Sequence, residues 1–341
     1  MVCQPVVVPS PPSYSANVPA FLTEDSYLYA FLPIQGVPFY ISFKYTFNSE
    51  STVTLLMLFY YLFCTVILIR LIIYHVTQAK SPGIFNAFVQ MQLLSTLHGY
   101  SDFLSSRIPT TGVFTRYCAE KDPQMFMRLI TLFYYGTSFS SQLLTVLFCG
   151  MRVVYLYFSA HIQERCEKSF NILSLTIIIL SFAVGIPQFT YRDVCIQLGR
   201  PFPVGAIVVL SELHYENTVY FDIMFFSFAF LATLAIVIST YLMFRKLWEL
   251  KTLSTRTNSP YNSKAEKTLT ITVILILVPL VFIQFVSLCE MFCFEVLSYL
   301  LFFRPFLFDS RIYIVTVYFY MNYPGLKKSK VESVVKSIGA V

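Results

Sequence analysis

Long apolar stretches separated by short polar segments dominate the pattern of this chain. Seven of them reach the length needed to cross a bilayer as a helix, about 20 residues at about 1.5 Å per residue. They cover residues 52–74, 84–104, 125–157, 170–191, 220–244, 269–294 and 296–320. Because lipid offers the backbone no hydrogen-bond partner, each stretch predicts a helix. We therefore expect an all-α integral membrane fold, with a Pro-rich leader (1–51), a bundle of seven transmembrane helices (52–320) and a tail (321–341).

Two of the seven stretches are more polar than the others. Their polar positions are Asn86, Gln90, Gln92 and His98 in the second stretch, and Arg304, Asp309 and Arg311 in the seventh. Both are kept as spans. Without the seventh, the lysines near the C-terminus would fall on the side that otherwise holds little positive charge. Seven spans place the two ends of the chain on opposite sides, an architecture that is commoner in receptors than in pumps, channels or membrane enzymes.

Composition and charge support the membrane assignment. The chain has 341 residues, 56% hydrophobic and only 12% charged, whereas soluble domains carry about 25% charged residues. The net charge of +6 lies in short segments between the spans, which argues against a nucleic-acid partner. Fifteen of the 24 Lys and Arg residues fall on one side of the predicted membrane. Positive charge collects on the cytoplasmic side, so we expect an extracellular N-terminus and a cytoplasmic C-terminus.

Motifs of enzymes and metal sites are missing from the chain. There is no H-E-x-x-H, G-x-S-x-G, P-loop or C-x-x-C pattern, each of which would carry a recognisable chemistry. The four histidines are scattered, with no pair at the spacing of helical metal ligands. We therefore expect neither catalysis, nor a metal, nor a cofactor.

Two cysteines are placed to form a disulfide. Cys118 lies just before span three and Cys195 just after span four. Both are predicted outside the cell, where disulfides persist. A bridge would tie the loop after span four to the head of span three; the alternative is two free thiols in unrelated loops.

Span three carries polar residues along one helical face. They are Arg128, Tyr135, Ser138, Gln142, Thr145, Cys149 and Arg152, spaced at intervals of three, four or seven. Such a face is expected to point into the bundle, because polar groups are costly in lipid. One interpretation is a ligand-binding outer half leading to a switch at Arg152. The alternative is hydrogen bonding between helices, with Arg152 reaching towards the inner interface.

A ligand pocket is predicted in the outer half of the bundle, between spans three, five, six and seven. Its candidate residues are Arg128, Tyr135, Ser138, Gln142, Asp222, Gln284 and Asp309. Pro279 interrupts span six, where proline permits a kink that a receptor can use as a hinge. Proline is also simply tolerated in membrane helices, so the hinge and the neutral interpretation both stay open.

Four segments resemble one receptor family. They read GVPFYISFKYTF before span one, RIPTTGVFTRYCAE before span three, CIQLGRPFPVGAI after span four and RPFLFD in span seven. In order and over residues 34–328, the chain resembles nematode serpentine receptor class U, or Sru. The resemblance implies a G-protein-coupled-receptor-like chemoreceptor of sensory neurons, located in the plasma membrane or sensory cilium. It also implies an unknown small-molecule ligand and a heterotrimeric G protein as partners, beside the lipid bilayer.

The chain departs from the rhodopsin-like receptor pattern. Arg152 lies in CGMRVVY rather than in an Asp-Arg-Tyr triplet, and Pro279 has no preceding Cys-Trp. G-protein coupling is therefore implied by the family resemblance and not by these residues. The alternative function is a seven-span ligand-gated channel or transporter without G-protein coupling.

Overall fold

Long helices make up most of the structure. The computed structural model describes residues 32–77, 83–120, 125–213, 218–253, 260–292 and 297–322. Within these ranges, seven helices have 20 residues or more. They are α1 (Ser49–Thr77), α2 (Gly83–Asp102), α3 (Met125–Tyr157), α4 (Ala160–Thr190), α5 (Thr218–Leu253), α6 (Pro260–Phe292) and α7 (Leu297–Asn322). Each overlaps one predicted stretch, so the mostly helical fold is confirmed.

Several helices extend past the predicted spans. α4 begins at Ala160, ten residues before the predicted start at 170, and its first turns hold a Glu164–Lys168 pair of 2.8 Å. Charged residues form helix readily in water, and hydropathy alone does not detect such extensions. Residues 1–31 of the leader, 293–294 and 296 of the last spans, and 323–341 of the tail lie outside the described residues.

The bundle is organised around α3. This helix packs against α2, α4 and α5, while α5 packs against α6, α6 against α7, and α7 against α1 and α2. The largest apolar core lies between these helices, where the Phe88 ring of α2 stacks on Phe319 of α7 at 3.7 Å. Large aromatic and aliphatic side chains thus hold α2, α3 and α7 together.

The perimeter of the bundle is apolar. Exposed hydrophobic side chains include Phe59 and Phe63 on α1, Ile172 and Ile179 on α4, and Leu231 and Ile238 on α5. Four described segments combine the length and hydropathy needed to cross a membrane: Ser49–Thr77, Met125–Tyr157, His161–Thr190 and Ile223–Glu249. α6 contains a shorter apolar stretch, Thr270–Phe285. This arrangement is that of a helix bundle whose solvent is lipid.

One β-hairpin departs from the all-α prediction. Strands β1 (Asp193–Gln197) and β2 (Ile207–Ser211) pair antiparallel, with Cys195 opposite Val209. Their sequences, DVCIQ and IVVLS, are rich in β-branched residues, which favour strands. The hairpin lies between α4 and α5, in a segment predicted to be a loop.

Three segments join at this end of the bundle to form a compact unit that we call the cap, residues 32–48, 103–120 and 192–211. The Ile34 amide donates to the Cys195 carbonyl at 3.0 Å, and the Gly36 amide donates to the Ala119 carbonyl at 3.0 Å. Ile34 and Tyr40 pack with Cys195 in a separate apolar cluster. The cap therefore has its own core, and it covers one end of the helices.

Candidate functional site

The centre of the cap is a disulfide. Cys118, in the helix Thr115–Glu120, is bonded to Cys195 in β1, with 6.1 Å between their Cα atoms. Both cysteines are fully buried. The bond links the segment that leads into α3 to the hairpin that follows α4.

The β1–β2 loop is fixed by close contacts around Gly205. This residue has φ +91°, and a Cβ there would lie 2.2 Å from the Phe43 ring, so only glycine fits. The Gly205 amide donates to Gln197 Oε1 at 3.0 Å, and the Thr115 hydroxyl donates to the Gly205 carbonyl. All three cap segments therefore meet at this glycine.

A buried ionic cluster joins the cap to α1 and α7. The Arg107 guanidinium bonds both oxygens of Asp309 at 2.5 and 2.7 Å, and its Nε lies 2.7 Å from Asp102. The Tyr61 hydroxyl donates to Asp309 at 2.6 Å. Arg107 ends a π-helix (Phe103–Arg107), whose wider turn brings side chains five apart together. Asp309, a candidate ligand contact, thus already has two partners within the protein.

A small void adjoins this cluster. It has about 40 Å³, and its lining includes Met57, Arg107, Phe202 and Phe306. That volume holds one or two water molecules but no organic ligand.

A larger cavity of about 290 Å³ lies between α3, α4 and α5. Tyr135 and Phe139 of α3 form one wall, and Phe225 of α5 stacks on them with centroid distances of 5.1 and 5.3 Å. Pro187 and Gln188 of α4 form another wall. The cavity contains the predicted residue Tyr135, but it borders α4 instead of the predicted α6 and α7.

The remaining candidate residues are distributed over the bundle. Ser138 and Gln142 on α3 are half-buried. Gln142 Oε1, Gln284 Oε1 on α6 and Arg128 Nε at the cap end of α3 are buried and have no hydrogen-bond partner in the structure as described. The side chain of Asp222 in α5 lies outside the described set.

At the opposite end of the bundle, α3 contacts α6 through Arg152. This arginine is buried, and its Nη2 donates to the Thr270 hydroxyl at 3.4 Å. α6 continues as a helix through Pro279, whose side chain is also buried. The predicted switch residue therefore bridges the central helix and the helix that contains the predicted hinge.

Asp193 is a buried carboxylate where the cap meets α3. Thr131 donates to its Oδ1 at 3.3 Å, while Oδ2 has no hydrogen-bond partner in the described residues. Burial raises the pKa of Asp193 to about 7; the Thr131 hydrogen bond and the positive charge of Arg128 offset this only in part. The carboxyl group therefore titrates near neutral pH.

Comparison with known proteins identifies the family. The model of the family described as "Serpentine type 7TM GPCR chemoreceptor Sru" matches residues 34–329. The chain belongs to the Sru family. Serpentine receptor class U-26 of Caenorhabditis elegans is similar, with 26% identity over 253 residues, which are 71% of this chain and 86% of that protein. The protein is thus a multi-pass membrane protein of a chemoreceptor family, which is not a family of enzymes.

The four segments that resemble Sru lie close together in the structure. Three of them, 36–47, 107–120 and 195–207, build the cap, and the fourth, 304–309, ends at Asp309, which pairs with Arg107. The resemblance is therefore concentrated in the cap and its anchor on α7.

Sequence reasoning missed several residues of these sites. Arg107 was not singled out from the sequence, because its partner Asp309 is 202 positions away and no spacing rule connects them. Gln188 in the cavity wall was also missed, although its place one residue after Pro187 at the end of α4 was visible.

Proposed function

We propose that this Sru protein is a chemosensory receptor of the plasma membrane, including that of sensory cilia. It detects a small external ligand and activates a heterotrimeric G protein on the inner side. The observation that carries this proposal is the division of the bundle into two ends. One end has a disulfide-linked cap and the 290 Å³ cavity, and the other has the Arg152–Thr270 contact between α3 and α6.

The proposal includes seven membrane crossings, with the cap outside. α2 and α7 contain polar side chains within their apolar sequences, and several of these bond to neighbouring helices. Gln92 of α2 donates to Thr316 of α7 at 2.6 Å, and Ser95 of α2 bonds Ser141 of α3 at 2.8 Å. Because these polar groups find hydrogen-bond partners within the bundle, they do not need water. The excess of Lys and Arg in the sequence segments assigned to the side opposite the cap supports a cytoplasmic location for that side.

The ligand would occupy the space beside α3. Aromatic walls around Tyr135 favour a ligand with an apolar body, and Ser138 and Gln142 on the same helical face would provide its polar contacts. Gln284, with an unpaired buried oxygen, is a further candidate contact from α6. No cofactor takes part.

Signalling would follow a population shift between two arrangements of the bundle. A ligand that binds the active arrangement better increases its population. Separation of α3 from α6 at the inner end would break the Arg152–Thr270 hydrogen bond and open a surface for the G protein, with Pro279 as the hinge.

The test removes this hydrogen bond without removing charge. Thr270→Val destabilises the arrangement in which α3 and α6 are in contact by about 1 kcal/mol. We therefore expect basal nucleotide exchange by the G protein, measured in cell membranes, to rise about fivefold. Thr270→Ser keeps the hydroxyl and serves as the matched control, with exchange at the wild-type level. An odorant panel screened by calcium imaging in cells expressing the chain then identifies ligands.

Two outcomes would contradict the proposal. One is basal exchange that is the same in Thr270→Val, Thr270→Ser and the wild type. The other is a ligand-evoked current that persists when GDPβS blocks G proteins, which would favour a channel.

A further inference from the structure

Arg311 is a charged residue in the middle of α7 and the interior of the bundle. Its side chain is 4% exposed, and its Nη2 donates to the Thr145 hydroxyl of α3 at 2.5 Å. Cys149, one turn further along α3, is a second polar neighbour among the described residues. Among the described residues, no carboxylate lies within ion-pair distance of Arg311.

The contrast with Arg107 shows what Arg311 lacks. Arg107 is equally buried, but two carboxylates, Asp102 and Asp309, neutralise it. A buried charge without a counter-charge is strongly disfavoured, and within a membrane it usually marks a functional site. The Thr145 hydroxyl accepts one of five guanidinium N–H groups and supplies no negative charge.

A buried polar group without a partner among the described residues lies on α3, near Thr145 along the helix. Gln142 lies one helical turn from Thr145 on the same face of α3, and its buried Oε1 has no partner in the part of the chain described. Tyr135, two turns beyond Gln142 on that face, lines the 290 Å³ cavity. Polar groups on α3 thus run from the cavity to the level of Arg311.

We infer that Arg311 binds the anionic group of the ligand, and that this ligand is a small organic acid whose carboxylate faces the guanidinium. The inference rests on the proposed receptor function. A guanidinium presents two parallel N–H groups that match a carboxylate, which gives strong and oriented hydrogen bonds. Gln142 Oε1 would accept a hydrogen bond from a hydroxyl or amine of the same molecule. Nearer the cap on α3, Phe139 lines the 290 Å³ cavity, and aromatic side chains of this kind suit an apolar body better than an inorganic ion.

The test measures anion binding by the purified full-length protein in lipid nanodiscs, as a shift of the thermal unfolding midpoint. Sodium gluconate, too large and hydrophilic for an apolar site, sets the baseline at constant ionic strength. In separate arms, the gluconate salt is replaced by sodium chloride, sodium hexanoate or sodium benzoate. Two further arms contain the uncharged methyl esters of hexanoic and benzoic acid. We expect at least one carboxylate to raise the midpoint by about 5 °C near saturation, and the esters to leave it unchanged.

Variants assign the binding to Arg311. Arg311→Gln is expected to lose the shift. Arg116→Gln, which removes the same charge at an exposed position paired with Glu120, is expected to keep it. If Arg311→Gln does not fold, Arg311→Lys is used instead. It keeps the positive charge but lacks the planar guanidinium group, so we expect it to bind the carboxylate about tenfold more weakly.

Several results would overturn the inference: no shift with either carboxylate, equal shifts with the esters, or unchanged affinity in the Arg311 variants. A shift with chloride alone would assign the site to an inorganic anion and would overturn the organic acid. The binding assay contains no G protein, so the two proposals fail separately. Carboxylate binding without any nucleotide exchange contradicts only the receptor mechanism. Responses to ligands that are unchanged in Arg311→Lys contradict only this site.

Discussion

At the scale of single residues, Asp193 shows how burial alone creates a pH-dependent group. Its carboxyl group is enclosed where the cap meets α3, and burial raises its pKa to about 7. The pKa in the folded state therefore lies above the unfolded value of about 4, so folding favours the protonated form. The stabilisation is complete below about pH 4 and disappears as the pH rises through about 7.

We predict that Asp193→Asn removes this pH dependence. Between about pH 8 and about pH 5, the wild type should gain about 2–3 kcal/mol of stability from this group, and the variant should not. Thermal unfolding of both proteins at each pH measures the difference, and their comparison cancels the other carboxylates. Glu120→Gln, at the end of a cap helix, is the matched control. Equal pH dependence in Asp193→Asn and the wild type would contradict the assigned pKa.

The sequence predicted single candidate residues, but not the residues with which they interact. Asp309 and Arg152 stood out because charged residues inside apolar stretches are costly. The partners of these residues, Arg107 and Thr270, lie on other elements, and hydrophobic periodicity contains no information about which helices are neighbours. Arg311 was noted as a charged residue within span seven, but that no carboxylate among the described residues lies within ion-pair distance of it became visible only in the structure.

At the scale of elements, the ionic cluster is what attaches the cap to the bundle. Arg107 follows α2, while Asp309 is in α7 and Tyr61 is in α1. The side chains of Arg107 and Asp309 are only 4% and 3% exposed, so solvent does not screen the pair. Loss of one partner would leave the other charge buried and alone.

We predict that Asp309→Asn destabilises the protein by about 3–5 kcal/mol, because Arg107 loses its main counter-charge. The paired variant Arg107→Met with Asp309→Leu should recover most of that loss, since no isolated charge remains. Thermal unfolding of the single and paired variants in nanodiscs measures both effects. Asp102→Asn, which removes a more exposed carboxylate, is the control with a smaller expected loss. A paired variant no more stable than Asp309→Asn would show that the cluster is not the anchor.

Elements were easier to predict than the contacts between them. The boundaries of α3 agree with the prediction at both ends, because apolar length is the main requirement in lipid. The β1–β2 hairpin was missed, although alternating β-branched residues were present, because hydropathy describes only the segments within the membrane. The 290 Å³ cavity between α3, α4 and α5 was not predicted, since its position depends on how these helices pack. The ligand pocket between spans three, five, six and seven stays a prediction.

At the scale of the whole molecule, charge and disulfide point to the same orientation. Fifteen of the 24 Lys and Arg residues belong to sequence segments assigned to the side opposite the cap, which favours a cytoplasmic location for that side. The Cys118–Cys195 disulfide lies in the cap, and disulfides persist in the secretory lumen and outside the cell. With the cap in the cytoplasm, neither the charge bias nor the disulfide would have a physical reason.

We therefore predict that an epitope tag before residue 32 is accessible to antibody on intact cells, whereas a tag after residue 322 requires permeabilisation. The reason is that the seven proposed crossings would put the two ends on opposite sides, and the positive charge favours a cytoplasmic location for the C-terminal side. Immunofluorescence with and without detergent measures both tags, and a cytosolic marker controls for leaky cells. Two tags accessible on the same side would require an even number of crossings, with α2 or α7 outside the membrane. The N-terminal tag inside and the C-terminal tag outside would reverse the bundle, placing the cap and the 290 Å³ cavity where no external ligand could reach them.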